Sequence, residues 1–218
     1  MPLTLGPKPT NSLRLLVFSD WRVQDLEHIR RCVDQRDDID LIVYGGDDLD
    51  RIIARPDILS YITSKCSGGR FLFVAGNDDT PELRSKLSSL PGTHDLAKTP
   101  FFHRGFAFFG VDGSLGDRGT ILRTEASIKR LLKKHHTAAA AKTYRRRPLT
   151  PVLVSHSPPF GILDHALRHS ETAGGRSIGS ISVEAFLNAN TVPLTICGHV
   201  HLCGGQLHKL SNGNTVLN

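Results

Sequence analysis

Five short apolar runs along the chain each lead directly into polar residues. Such runs are typical of buried strands in an α/β sheet, which are apolar on both faces. Polar groups at the carboxyl ends of these strands collect along one edge of the sheet, where ligands bind. The runs are 15–18, 41–44, 71–74, 152–154 and 194–197, and the residues that follow them include Asp20, Asp47, Asn77, His156, His199 and His201. The pattern therefore predicts a metal site at one edge of the sheet.

Segments whose apolar residues recur at helical spacing alternate with the apolar runs. Thr80, Pro81 and Glu82 provide an N-cap, a first-turn proline and a first-turn acid, which predict the start of a helix. Pro56 must start or kink the helix in which it lies. Helices are predicted over 24–35, 50–64, 81–89 and 124–147, and two short β segments over 101–103 and 106–111. The order is βαβ at first and richer in β-structure later, which indicates two packed sheets with helices outside them.

Length and composition are those of an ordinary globular chain. Its 218 residues, of which 39% are hydrophobic and 22% charged, can bury a full core. We expect a single domain over 1–218 with a flexible segment at 1–12, and neither a signal peptide nor a membrane span. The net charge of +6 favours anionic partners. Four cysteines without a Cys-x-x-Cys pair predict a reduced, cytoplasmic protein.

The polar residues at the run ends suit a metal site with mixed ligands. Asp47, Asp48 and Asp50 crowd three carboxylates into four residues, which is costly unless a cation or hydrogen bonds neutralise them. Their spacing does not fit an EF-hand loop. His199 and His201, at i and i+2, are able to reach two neighbouring ions at a strand end. Carboxylate, amide and imidazole ligands together favour Mn, Fe, Zn or Ni over Ca.

In this order the motifs resemble those of the calcineurin-like metallophosphoesterases. The likeness runs from Leu13 to the last residue, and the motifs around His156 and His199 are most similar to the small Icc-related branch. The matching motifs are Ser19-Asp20, Gly46-Asp47-x-x-Asp50, Gly76-Asn77-x-Asp79, Ser155-His156-Ser157-Pro158-Pro159 and Gly198-His199-x-His201. The resemblance implies an α/β fold of the metallo-dependent phosphatase type, a four-layer α/β/β/α sandwich with two metal ions at one end of the sheets.

The resemblance also implies a ligand set and a reaction. Carried over residue by residue, the ligands are Asp20 and His201 for metal one, Asn77, His156 and His199 for metal two, and Asp47 as the bridge between the ions. Asp47, Asn77 and His199 are further expected to act in catalysis. The two ions are expected to be Mn, with Fe, Zn or Ni as alternatives. Such a centre hydrolyses phosphate esters by activating a water, so no side-chain nucleophile is needed.

Two positions, Arg22 and Asp78, depart from the family pattern by replacing a histidine, and both residues are expected to act in catalysis. Arg22 stands where the family has a ligand of metal one, and a guanidinium has no free electron pair to offer a metal. Metal one is therefore expected to be weakly occupied, with Arg22 acting on a phosphate oxygen. Asp78 replaces a histidine that assists the leaving group, and relatives without that histidine tend to act on phosphodiesters. Either Arg22 neutralises Asp78 beside Asp50, or these side chains are solvated independently.

The sequence leaves two alternatives open. The changes at Arg22 and Asp78 also suit a degenerate phosphoesterase fold kept as a non-catalytic binding scaffold, like the phosphoesterase-fold subunit of retromer. A scaffold, however, has no need of six ligands. The basic segment 129–147 is typical of a solvated helix face and, less often, of a surface that docks nucleic acid. Neither the physiological substrate nor the oligomeric state follows from the sequence.

Overall fold

The computed structural model describes residues 12–20, 26–116, 118–166 and 176–218. Arg22 and nearly all of the segment predicted to be flexible lie outside these ranges. The first sheet has four parallel strands in the order β1-β2-β3-β4. They are β1 (Leu15–Phe18), β2 (Leu41–Tyr44), β3 (Phe71–Phe73) and β4 (Thr93–Asp95). Because Tyr44 pairs with both Phe18 and Phe73, the first three strands end at the same level.

The second sheet is mixed and has six strands in the order β13-β14-β12-β9-β6-β5. They are β5 (Phe101–His103), β6 (Phe106–Val111), β9 (Thr150–Ser155), β12 (Leu194–Cys197), β13 (Leu207–Lys209) and β14 (Thr215–Leu217). The four central strands are parallel, and the two edge strands are antiparallel to their neighbours. A hairpin joins β7 (Thr143–Tyr144) to β8 (Arg147–Pro148), and β10 (His165–Ala166) pairs antiparallel with β11 (Arg176–Ser177).

Helices cover the outer faces of the sheets. They are α1 (Leu26–Asp34), α2 (Leu49–Ile53), α3 (Pro56–Lys65), α4 (Pro81–Ser88), α5 (Glu125–Ala140) and α6 (Ile181–Ala189). A short 3₁₀ turn over His201–Cys203 follows β12. Within the described ranges, none of these helices is long and apolar enough to cross a membrane.

Three apolar cores define the layers. In β2, Ile42 packs into a core shared with α1 to α4, whereas Val43 packs into a second core between the two sheets. In β6, Phe108 belongs to this middle core, whereas Phe109 packs against α5 and α6 in a third. Alternate residues of one strand thus enter different cores, since side chains alternate across a sheet. The layer order is α/β/β/α, as the sequence resemblance implied.

The helix signals in the first half of the chain are confirmed. The Thr80 hydroxyl caps α4 by accepting the Leu83 N–H at 3.2 Å, and Pro81 is the first helical residue. Pro56 is the first residue of α3, so the segment predicted as a helix over 50–64 is divided between α2 and α3.

The helix predicted over 124–147 is wrong in its last third. α5 ends at Ala140, and the β7–β8 hairpin follows. Arg145 and Arg146, at the hairpin turn, have φ angles of 49° and 63°, which are incompatible with a right-handed helix. Pro148 further disfavours helical backbone in the residue before it. The basic segment is therefore divided between a helix and a hairpin.

Candidate metal centre

Loops from both sheets converge where the parallel strands end. The predicted ligands that begin these loops are Asp20 after β1, Asp47 after β2, Asn77 after β3, His156 after β9 and His199 after β12. Backbone hydrogen bonds join the loops: the Asp20 N–H donates to the Gly46 carbonyl at 3.0 Å, and the Gly198 N–H donates to the His156 carbonyl at 3.1 Å. The fold thus assembles ligands that are far apart in sequence.

One group of ligands has three buried members and the half-buried His199, and we call it the inner cluster: Asp47, Asn77, His156 and His199. Ligand atoms of Asp47, His156 and His199 all lie within 4.8 Å of one another. His156 Nε2 lies 3.0 Å from Asn77 Oδ1 and 3.5 Å from Asp47 Oδ2. The His156 side chain is fully buried. These four residues are the set predicted to hold metal two.

Hydrogen bonds orient the inner cluster so that its lone pairs face one another. His156 Nδ1 lies 2.8 Å from the Gly45 carbonyl oxygen, which requires a proton on Nδ1. The Asn77 amide nitrogen donates to Asp78 Oδ1 at 2.6 Å, so the amide oxygen faces His156 Nε2. A ring nitrogen and an amide oxygen therefore meet beside the Asp47 carboxylate, and a cation shared among them satisfies all three. Imidazole held by a carbonyl at its other nitrogen is the usual arrangement of a metal ligand. The donor set fits a first-row divalent metal ion.

Asp20 and His201 form a second, more open group, which we call the outer pair. His201 Nε2 lies 3.1 Å from Asp20 Oδ1, and the two side chains are 41% and 10% exposed. The other carboxylate oxygen of Asp20 accepts the Ser19 hydroxyl at 2.5 Å and the His199 N–H at 2.9 Å. The outer pair corresponds to the residues predicted for metal one.

The surroundings of the ligand side chains shift their pKa values and keep them in protonation states that can bind a cation. Burial alone raises the pKa of Asp20, but hydrogen bonding to His201 and the nearby His156 outweigh it and lower the pKa to about 2. Burial raises the pKa of Asp47 to about 6 despite the attraction of His156. Burial, assisted by His156, lowers the pKa of His199 to about 4. At neutral pH, His199 is therefore a neutral imidazole and Asp20 a carboxylate.

Three of the ligands have strained backbones. Asp20, Asp47 and His199 have φ angles of 51°, 64° and 69°, a region that residues other than glycine seldom adopt. Such outliers cluster at functional sites, where the surrounding structure enforces them. Gly76, next to Asn77, is required for another reason, since a Cβ there would lie 1.9 Å from Asp47 Oδ1. The close approach of the two loops thus depends on glycine.

Sequence reasoning included Asp79 in a motif but assigned it no role, and the structure supplies one. This buried carboxylate accepts three backbone N–H groups, from Gly76 at 2.7 Å, Asp47 at 3.0 Å and Leu49 at 2.9 Å. It therefore joins the loop after β2 to the loop after β3. Asp79 is a positioning residue for Asp47 and Asn77. Only its burial, which the sequence does not show, distinguishes it from the neighbouring aspartates.

The two positions that depart from the family pattern have different outcomes. Arg22 lies outside the described residues. Asp78 is exposed and contacts the inner cluster twice, because its carboxylate accepts the Asn77 amide at 2.6 Å and its N–H donates to Asp47 Oδ1 at 2.9 Å. Asp50 is exposed in the first turn of α2. The coupling of Arg22 to Asp78 and Asp50 stays a prediction.

An α/β/β/α sandwich with carboxylate, amide and imidazole ligands at its strand ends defines the class of metal-dependent phosphoesterases. The sequence model of the calcineurin-like phosphoesterase family matches residues 13–203, and the chain belongs to that family. It is therefore an enzyme that hydrolyses phosphate esters with the help of divalent metal ions.

Several solved structures are similar to this fold, and two of them show the extent of the likeness. One crystal structure has a TM-score of 0.63 and 17% sequence identity, and the match covers 94% of this chain and 89% of that chain. The other is the phosphopantetheinyl hydrolase PptH from Mycobacterium tuberculosis, with a TM-score of 0.54, 14% identity and coverage of 95% and 89%. Comparison with curated protein sequences gives no match. At these identities the likeness concerns the fold alone.

Proposed function

We propose that the protein is a phosphodiesterase with a dinuclear metal centre, in which Mn is the first candidate and Fe, Zn or Ni are alternatives. The inner cluster would hold the tighter ion, the outer pair the weaker one, and Asp47 would bridge them. The observation that carries the proposal is the convergence of lone pairs from Asp47, Asn77 and His156 on one buried point. Ions bound there would polarise the phosphoryl oxygens and lower the pKa of a water that attacks phosphorus.

In the proposed mechanism, hydrogen bonds within the protein orient the side chains that would hold the metal ions. The Gly45 carbonyl holds His156 in the tautomer whose Nε2 is free to bind. Asp78 turns the Asn77 amide so that its oxygen faces the same point. Ser19 and the His199 N–H hold one oxygen of Asp20, which leaves the other oxygen facing His201. A substrate therefore meets ligands that need little reorganisation, which favours stabilisation of charge in the transition state.

Asp78 supports a diester as substrate. An ionised carboxylate accepts hydrogen bonds but has no proton to give a leaving group. Its negative charge at the exposed edge of the inner cluster also repels a monoester dianion more than a diester monoanion, because the Coulomb energy rises with the product of the charges. Arg22, which lies outside the described residues, is proposed to contact a phosphate oxygen.

The proposal is tested by metal analysis of the purified protein together with Mn-dependent hydrolysis of bis-p-nitrophenyl phosphate and p-nitrophenyl phosphate. We expect two Mn sites of unequal affinity and faster turnover of the diester. Asp47→Asn and His199→Ala should each lower turnover more than about 100-fold, since both are ligands rather than outer-shell partners. His208→Ala, which removes an exposed imidazole from β13, is the control and should leave turnover unchanged. Turnover by Asp47→Asn near the wild-type rate would refute the metal mechanism.

The preference for a diester has its own test in the same assay. Asp78→His restores the family residue and should raise the ratio of monoester to diester turnover. Combining it with Arg22→His in a double-mutant cycle would measure the predicted coupling, since independent sites add within about 0.5 kcal/mol. An unchanged ratio in Asp78→His would contradict the role of Asp78 in specificity and leave the metal mechanism untouched.

The proposal also includes the location of the protein in the cell, its domain organisation and a further partner. The four cysteines are free, which supports the reduced, cytoplasmic location predicted from the sequence. A single domain over 1–218 and a contact of the 129–147 segment with nucleic acid stay predictions.

A further inference from the structure

A cleft of about 450 Å³ lies between α5 and α6, on the outer side of the second sheet. Its lining comes from residues 129–137 of one helix and 181–190 of the other. None of the metal-centre residues lines it. The cleft is therefore separate from the site of hydrolysis, and an inference about it does not rest on the proposed function.

The floor and walls of the cleft are apolar. Leu132 is almost fully buried beneath it, and Ala185 and Phe186 line it from α6. The His136 ring packs edge-on against Phe186 with 5.3 Å between ring centroids. Burial lowers the pKa of His136, so its ring is a neutral part of this wall at physiological pH. Such a surface favours an apolar chain or ring.

The rim of the cleft carries two positive charges. Lys129 and Lys133 both line it, are exposed, and lie one helical turn apart on the same face of α5. No carboxylate is among the described residues that line the cleft. Neither lysine has an ion pair among the described residues, whereas Arg30, Arg55 and Arg84 have two each. The rim is thus a cationic edge above an apolar floor, and the Glu125 carboxylate lies at one end of it, on the N–H groups of the lining residues Ile181 and Ser182.

We propose that this cleft is a binding site for a small amphipathic anion, an apolar chain or ring that bears one carboxylate, sulfonate or phosphate. The apolar part would lie against Leu132 and Phe186, and the anionic group between Lys129 and Lys133. The volume falls within the roughly 300–1,000 Å³ of small-molecule sites. A neutral apolar ligand would leave the two ammonium groups without a counter-charge. A small polar anion would leave the apolar floor of the cleft exposed to water. Charge and shape together therefore select the amphipathic anion.

Fluorescence titration of the full chain with 8-anilinonaphthalene-1-sulfonate, an aromatic anion, tests the proposal. We expect one saturable site from which decanoate displaces the dye and the uncharged decanol does not. Lys129→Glu with Lys133→Glu should weaken binding about tenfold, because two attractive charges become repulsive. Ala185→Trp should block the cleft and abolish binding while leaving Mn-dependent turnover unchanged.

The matched control reverses two other charges on the same helix. Arg130→Glu with Lys134→Glu changes the net charge equally at exposed positions that do not line the cleft. Dye affinity in this control should stay within about twofold of wild type, since positions 130 and 134 are turned about 100° around the helix from 129 and 133 and do not line the cleft. Equal weakening in both double variants, or displacement by decanol as readily as by decanoate, would overturn the proposal. A dimer in analytical ultracentrifugation that Ala185→Trp dissociates would also overturn it, by assigning the cleft to a second copy.

Discussion

The inner cluster and the outer pair are two halves of one predicted metal centre, yet they are built differently. Both draw ligands from the two sheets, but the His156 side chain of the inner cluster is fully buried. The outer pair depends on His201, whose side chain is 41% exposed at the start of a 3₁₀ turn. Buried ligands held by further hydrogen bonds are preorganised, whereas an exposed ligand must be ordered when the ion binds. The two ions should therefore differ in affinity.

The largest expected effect comes from removing one histidine from each half. His156→Ala should abolish the tighter Mn site, a loss larger than the roughly 10–100-fold typical of an outer-shell change. His201→Ala should remove only the weaker site and leave the tighter one within about tenfold of wild type. Calorimetric titration with Mn measures both affinities in each variant. If the two substitutions weakened the same site equally, the distinction between the inner cluster and the outer pair would be lost.

A smaller effect is expected at Asp79, which supports the inner cluster without being a predicted ligand. Asp79→Asn keeps the shape but sets an amide N–H against one of three backbone donors, which should destabilise the fold by about 1–3 kcal/mol. Urea unfolding measures the stability, and Mn titration should show a weaker inner site with the outer site unchanged. Asp57→Asn, an exposed change in α3, is the control. Normal Mn affinity in Asp79→Asn would restrict the residue to a structural role.

The smallest effect concerns the connection from α5 to the loop that carries His156. Glu125 accepts the Ile181 and Ser182 N–H groups at 2.8 Å each, and Ser180 pairs with the loop through its N–H bond to the Pro158 carbonyl at 2.8 Å. Glu125→Gln should cost about 1 kcal/mol at neutral pH through this weakened helix cap. Calorimetric melting of both proteins measures the difference.

The pH dependence of that difference has a definite sign. Burial opposes ionisation of Glu125, but hydrogen bonds from Ser182 and Ser180 outweigh it and lower its pKa below 4.5. A carboxyl group whose pKa is lower in the folded state stabilises the fold at any pH above its pKa in the unfolded state. This stabilisation is lost as the pH falls through the pKa of the folded state. The gap between wild type and Glu125→Gln should therefore shrink at acid pH. A gap that is constant with pH would show that the charge of Glu125 contributes nothing.

Local pattern predicted much of the fold. The strands β1, β2, β5, β6 and β12 have the predicted bounds, because each is a largely apolar run bounded by turn or polar residues. Prediction failed in the segment 141–147, where an alanine-rich helix passes into a hairpin. The strands β4, β13 and β14 were not predicted, since β4 and β13 are mostly polar and β14 has only two apolar residues after Thr215.

The sequence by itself determined which ligands exist, that each follows an apolar run, and hence the kind of chemistry. Only the tertiary structure decided which of them meet. His156 contacts the Gly45 carbonyl across 111 positions of the chain, and His201 contacts Asp20 across 181. Propensity and periodicity act over a few residues, whereas such contacts arise from the packing of two sheets. The burial of Asp79, the openness of the outer pair and the cationic cleft between α5 and α6 depend on that packing, because they belong to surfaces that no single segment forms.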